Sequence, residues 1–144
     1  MNGDGLNLEM VSLSRQVYSG TVDHVTAPSY QGDMEIYRGH CAIMALLKPG
    51  QIKVNTSQQE IIYYYVSGGV LEVYNNTVSI LADTIIRAED IDEAATVMDQ
   101  QQLEQLLSNR QAGRNYGKML TKMTQARAKL RTVRNYSRNI KNTS

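Results

Sequence analysis

Two histidines, one cysteine and fourteen acidic residues are the groups from which this chain could build an active site. The histidines are His24 and His40, and Cys41 directly follows His40. Neighbours on a strand point to opposite faces, so His40 and Cys41 are poorly placed to act as base and nucleophile. No pair of His, Cys or carboxylate residues has the spacing of metal ligands. The one dense acidic cluster, Asp90-Ile91-Asp92-Glu93, has the form of a capping box with Asp at the cap, and its charges suit the positive end of a helix dipole. Ser67-Gly68-Gly69 lacks the Gly-x-x-x-x-Gly-Lys pattern and precedes a strand instead of a helix, so it reads as a turn. The residues offer no catalytic set, no metal set and no cofactor site. They point to a protein that works by binding.

The binding character is written in the charge. The 144 residues sum to a formal charge of +1. The average hides three blocks: residues 1–88 carry a net of −3, residues 89–104 a net of −6 with no Lys or Arg, and residues 105–144 a net of +10 with no acid. Such asymmetry marks segments with different tasks. A content of 42 % hydrophobic residues is enough for a core and excludes a disordered chain. One cysteine makes no internal disulfide. The start has neither the basic nor the apolar region of a secretion signal, and the longest aliphatic run, Cys41 to Leu47, is far below the roughly 18 to 20 residues that cross a bilayer. Any membrane link is expected to go through partners, without direct insertion.

Residues 6 to about 86 read as short strands. β-Branched and tyrosine-rich runs alternate with turn chemistry: Leu6 to Val11, Val17-Tyr18, Thr21 to Thr26, Ala42 to Leu47, Gln51 to Val54, Glu60 to Val66, Val70 to Tyr74 and Val78 to Leu81. Asn75-Asn76 between the last two predicts a tight hairpin, because Asn tolerates the positive φ such turns demand. A single sheet of so many strands could not hide its apolar face, which predicts two packed antiparallel sheets, a β-sandwich.

After Asp83 the period turns helical. A first helix is expected to start at Asp90, with Ile91, Ala94, Ala95 and Met98 on one side, then Leu103, Leu106 and Leu107, interrupted by Gln100-Gln101-Gln102. Ser108 to Asn115 reads as the turn. The second helix places Tyr116, Met119, Met123, Ala126, Leu130, Val133, Ser137 and Ile140 at steps of three and four, a heptad seam. One narrow apolar stripe needs a partner helix, so the pair forms an antiparallel hairpin. Its cations outnumber the facing acids, which leaves either a solvated face or a target outside the hairpin that is acidic.

The ordered set Val17-Tyr18-Ser19-Gly20, Gly32 to His40, Leu47-Lys48-Pro49-Gly50, Val66 to Val73, Ile80-Leu81-Ala82-Asp83-Thr84 and Ala88 to Ala94 resembles the epsilon subunit of the bacterial F-type ATP synthase over about residues 6 to 96. The resemblance implies a β-sandwich domain, residues 1–87, that docks on the gamma subunit and the c ring, followed by a regulatory helical hairpin, residues 88–144. It implies a non-catalytic rotor subunit of the central stalk, peripheral on the cytoplasmic side of the bacterial inner membrane. Its hairpin either folds on the sandwich or extends into the alpha/beta catalytic head and restrains ATP hydrolysis.

Carried over residue by residue, the resemblance places Asp33 against the c ring and His40 and Ser12 against gamma. The local alternative for His40 is a turn histidine bonded to its own loop. Glu35 and Arg38 stand where the family has glycine and proline. Lys122, Arg127, Lys129, Arg131, Arg134 and Arg138 would meet an acidic loop of the catalytic head. Some members bind ATP through Ile or Leu, Asp, two residues, then Arg-Ala. Here Ile91-Asp92-Glu93-Ala94 runs into Ala95-Thr96 without the arginine, so no nucleotide is expected and Asp92 is expected to cap the helix. Two other readings of the basic seamed helix are a coiled-coil adaptor and a nucleic-acid binder. Sparse aromatics argue against nucleic acid.

Overall fold

The computed structural model describes residues 5–108, 113 and 116–143. The expected turn at 108–115 falls largely outside the described residues, as do Arg110 and Arg114. Ten strands come first: β1 (Leu6–Val11), β2 (Gln16–Val22), β3 (His24–Ser29), β4 (Gly32–Tyr37), β5 (Ile43–Leu47), β6 (Gly50–Asn55), β7 (Ile61–Val66), β8 (Gly69–Tyr74), β9 (Thr77–Leu81) and β10 (Ile85–Arg87). A 3₁₀ turn (Ala88–Asp90) leads to α1 (Glu93–Ser108) and α2 (Tyr116–Thr143).

The strands follow the order β10-β7-β6-β3-β5-β8-β9-β1-β2, with β4 added on β3. Strands β3 and β5 meet only at Ser29 and Leu47. The array is therefore two five-stranded layers joined by one residue pair. Every pairing among the described residues is antiparallel except that of β1 with β9. Alternation explains the core: Leu6, Leu8 and Met10 of β1 point inward with Leu71 and Val73 of β8 and Val78 and Ile80 of β9, and meet Val25, Ile52, Val54 and Tyr64 of the other layer. Each such side chain contributes about 1.5 to 3 kcal/mol by leaving water.

Two more strands form than the sequence runs suggest. The expected run Thr21 to Thr26 breaks at Asp23, whose N–H donates to the Asn55 carbonyl at 2.8 Å as the chain crosses between layers. Strand β4 escapes the pattern because only Ile36 of its six residues is buried. Asp33 thus lies on a strand, outside the runs that the sequence marks as strands. The Asn75-Asn76 hairpin forms as expected, with φ of 52° and 61°. At Gly69, φ is +146°, and a Cβ there would collide with the Leu81 carbonyl of β9, so the strand pairing itself requires glycine.

The helices correct two local expectations. Asp90 lies in the 3₁₀ turn, and Asp92 caps α1, its Oδ1 accepting the Ala95 N–H at 3.0 Å. The face of α1 that turns inward is Thr96, Leu103, Leu106 and Leu107, while Ala94, Ala95 and Met98 are exposed. Alanine offers too little area to decide a helix's orientation, and the larger leucines one turn away prevail. On α2 the central seam is as expected, with Met123, Ala126, Leu130 and Val133 buried.

Candidate docking surfaces

The outer face of the second layer carries an apolar row. Leu46 of β5 pairs with Val70 of β8, and Val70 with Leu81 of β9. Leu46 is 64 % exposed and Leu81 58 %, and Leu13, Tyr30 and Met44 stand open beside them at 81 %, 70 % and 70 %. Leu13, Tyr30, Leu46, Val70 and Leu81 border a depression of about 560 Å³ together with Gly68 and Gly69, while Met44 lies on a neighbouring cleft. Apolar patches of this kind mark contact surfaces. The sequence signal is the unbroken run Ile43 to Leu47: a strand apolar on both faces is covered on both.

The residues expected to contact gamma lie in turns near this layer. His40 is half-buried, its N–H donates to the Tyr37 carbonyl at 3.2 Å, and its ring Nδ1 lies 2.8 Å from the Cys41 carbonyl oxygen. The loop is fastened to the β8–β9 hairpin, since the Gly39 N–H donates to Asn76 Oδ1 at 2.7 Å. Ser12 is buried, and its hydroxyl donates to the Arg15 carbonyl at 3.2 Å. It shapes the turn that presents Leu13. Asp33 is exposed on the free edge of β4.

Helix α2 divides its surface three ways. The seam meets α1. A second face, Ala128, Thr132, Asn135 and Tyr136, meets the sandwich at β6, β7 and the 3₁₀ turn. There the Asn135 amide donates to Gln51 Oε1 at 2.7 Å, and the Tyr136 ring stands edge-on to Tyr63 at 6.5 Å with its hydroxyl 3.4 Å from Glu89. Thr132 is fully buried, its hydroxyl turned back to the Ala128 carbonyl at 2.8 Å. Burial raises Tyr63 and pushes Tyr65 up to about 12.

The six cations expected to act together fall into two sets. Lys122 and Lys129 line the cleft between the helices together with Asp99, and the Lys129 ammonium lies 5.3 Å from the Tyr65 ring centre. Arg127, Arg131, Arg134 and Arg138 line a different groove of about 380 Å³ with Gln100 and Asn135. All four arginines are exposed, and none makes an ion pair among the described residues. Sequence spacing found the seam and the cations but not Gln51, Tyr63, Asn135 and Tyr136, whose polar and aromatic contacts have no periodic signature. The Asp92 carboxylate is committed to the helix start. Among the described residues no helix is long and apolar enough to cross a membrane.

Residues 5–88 match the ATP synthase delta/epsilon chain β-sandwich domain. The ATP synthase epsilon chain of Alkalilimnicola ehrlichii is 35 % identical over 136 residues, 94 % of this chain and 97 % of that one. ATP synthase epsilon chain 1 of Methylococcus capsulatus is 37 % identical over 131 residues, 91 % and 94 % of the two chains. A chain in the Euglena gracilis mitochondrial ATP synthase, in a structure of OSCP, F1 and the c-ring, has the same fold with a TM-score of 0.69 at 19 % identity, over 94 % of this chain and 81 % of that one. A family match over more than half of the sequence, with relatives covered nearly end to end, means that this chain belongs to the epsilon chains of F-type ATP synthase, non-catalytic subunits of that complex.

Proposed function

We propose that the sandwich docks on the gamma subunit through the apolar row Leu46, Val70 and Leu81, flanked by the loops of Ser12 and His40, and reaches the c ring near Asp33. The hairpin regulates. In the docked position it leaves the head free. Extended, it brings Lys122, Arg127, Lys129, Arg131, Arg134 and Arg138 to an acidic loop of the alpha/beta catalytic head and restrains ATP hydrolysis. The subunit works peripherally on the cytoplasmic side of a bacterial inner membrane.

The observation that carries this reading is the exposed row itself, three aliphatic side chains in register across β5, β8 and β9 with Leu13 and Tyr30 at its end. No element of the described chain covers them, and a row this apolar gains from burial against a partner. The test is capture of the gamma subunit from the same source, by the parent and by a variant with Leu46→Glu and Leu81→Glu. Capture by the parent and its loss in the variant, with thermal unfolding unchanged, is the expected result. Equal capture by both would move the docking surface elsewhere.

A further inference from the structure

The two layers of the sandwich part company on one side. Strand β4 ends the first layer and β5 the second, and Ser29 with Leu47 is the only pair holding β3 to β5. Beyond that pair the lips diverge around a cleft of about 490 Å³, lined on one side by Asp33 and Met34 and on the other by Ile43 and Met44.

Both lips are unpaired strand edges. The Tyr30 N–H donates to the Leu46 carbonyl at 3.3 Å, and the Lys48 N–H to the Pro28 carbonyl at 3.0 Å. Backbone groups alternate along an antiparallel strand, so even-numbered residues of β5 face away from β8, and the amide and carbonyl of Met44 open into the cleft. The same parity fixes β3: Pro28 faces β5, so odd residues face β4 and pair with Gly32, Met34 and Ile36. The backbone groups of Asp33 and Glu35 are left on the free edge. None of these groups has a hydrogen-bond partner among the described residues.

The chemistry around the edges is specific. Met34 and Ile43 are partly buried against the core and form an apolar floor. Asp33 and Glu35 are exposed on the outer side of one lip and make no ion pair among the described residues, while Met44 is 70 % exposed on the other. A lysine between them could lay its alkyl stem on Met44 and its ammonium against the carboxylates.

We infer that the β4–β5 cleft receives an extended, basic polypeptide segment of a partner, which adds as a strand to the open edges. Alternate residues of the segment are apolar and enter toward Met34 and Ile43. The intervening ones are lysine or arginine and lie between Met44 and the carboxylates of Asp33 and Glu35. Main-chain hydrogen bonds provide affinity in this mode and the alternating side chains provide selectivity. The cleft adjoins the apolar row, sharing Tyr30 and Leu46 with it, but its strand edges and carboxylates lie outside the row, and the inference does not depend on which subunit supplies the segment.

The test uses the isotope-labelled full chain and a blocked synthetic nonapeptide of alternating valine and lysine. Saturable amide shifts and slowed hydrogen exchange at Asp33, Glu35 and Met44 are expected. Methylating alternate backbone nitrogens of the peptide should weaken binding about tenfold or more, the loss of one to two good hydrogen bonds, without touching the protein. Asp33→Asn with Glu35→Gln should weaken binding several-fold and flatten its salt dependence. Equal binding of the methylated peptide, shifts confined to Leu81 or to α2, or no shifts at millimolar peptide would each overturn the inference. Gamma capture, measured separately on the same variant, stays intact if only the cleft is concerned.

Discussion

The side-chain amide of Asn135 donates to Gln51 Oε1 at 2.7 Å, tying the second helix to strand β6 across 84 positions of sequence. The next residue, Tyr136, reaches both Tyr63 and Glu89. Two consecutive side chains of α2 therefore hold a strand, an aromatic ring and the turn from which the hairpin departs. Replacing both by alanine is expected to speed hydrogen exchange of the α2 amides by one to two orders of magnitude, since a lost hydrogen bond and aromatic contact together are worth about 1 to 3 kcal/mol. Exchange in β1 and β9 should not change. Unaltered α2 protection would assign docking to Ala128, Thr132 and the contact of Lys129 with Tyr65.

The arginine groove is tested by Arg127→Ala, Arg131→Ala and Arg134→Ala together. Alanine favours helix, and the three side chains hold nothing in the described chain, so melting should stay within about 0.5 kcal/mol of the parent. In the reassembled enzyme, ATP hydrolysis should rise severalfold with gamma binding intact, and higher ionic strength should produce part of the same rise. Rates equal to the parent at low and high salt would leave the charge without a role in restraint.

Asp33→Lys reverses one charge on an exposed strand edge and should leave stability within about 0.5 kcal/mol. Proton pumping driven by ATP in membranes is expected to fall. A variant that pumps like the parent would exclude Asp33 as the contact with the c ring.

Truncation after Arg87 is expected to leave a folded sandwich that still captures gamma, because its core lies between the two layers and takes nothing from the helices. It uncovers Tyr63 and Tyr65. Loss of a cooperative unfolding transition would show that the sandwich depends on α2.

Tyrosine titration reports the same contact. Tyr65 is 1 % exposed, and its folded value is pushed up to about 12 from an ordinary 10 by desolvation. Because the folded value is the higher, its contribution is complete below pH 10 and is lost as pH rises through about 12. The loss is about 2 to 3 kcal/mol for this one side chain. Unfolding by alkali, followed by tyrosinate absorbance, should begin near pH 10 and complete later in the parent than in the truncated sandwich. Coincident curves would mean that α2 does not desolvate Tyr65.

What the sequence revealed and what it hid follow from the range of the forces. Period two in β1, β8 and β9 and the seam Met123, Ala126, Leu130 and Val133 were legible because each position reports its own burial. The Asn75-Asn76 turn was legible because its φ values are intrinsic to the residues. Strand β4 was hidden because a sandwich edge buries little, and its register comes from β3 instead of its own pattern. The face of α1 was hidden because Ala94, Ala95 and Met98 fit the apolar period yet stay exposed, while the leucines set the orientation. The candidate surfaces divide likewise: the cations were visible as a block, but their partition between the Lys129 cleft and the arginine groove depends on where α2 lands. Gln51 and Asn135 are unremarkable polar residues until the fold sets them side by side.

The threefold division of α2 also governs how this sequence can drift. A change at Met123 or Leu130 is felt by α1, one at Thr132 or Tyr136 by the sandwich, and one at Arg127 or Arg131 by whatever lies outside. The three sets share a helix and touch one another only where Leu130 and Asn135 line the arginine groove, so each can vary largely while the other two stand still. Descendants of this chain could change what the arginine positions meet outside without relearning how to fold the hairpin or where to park it.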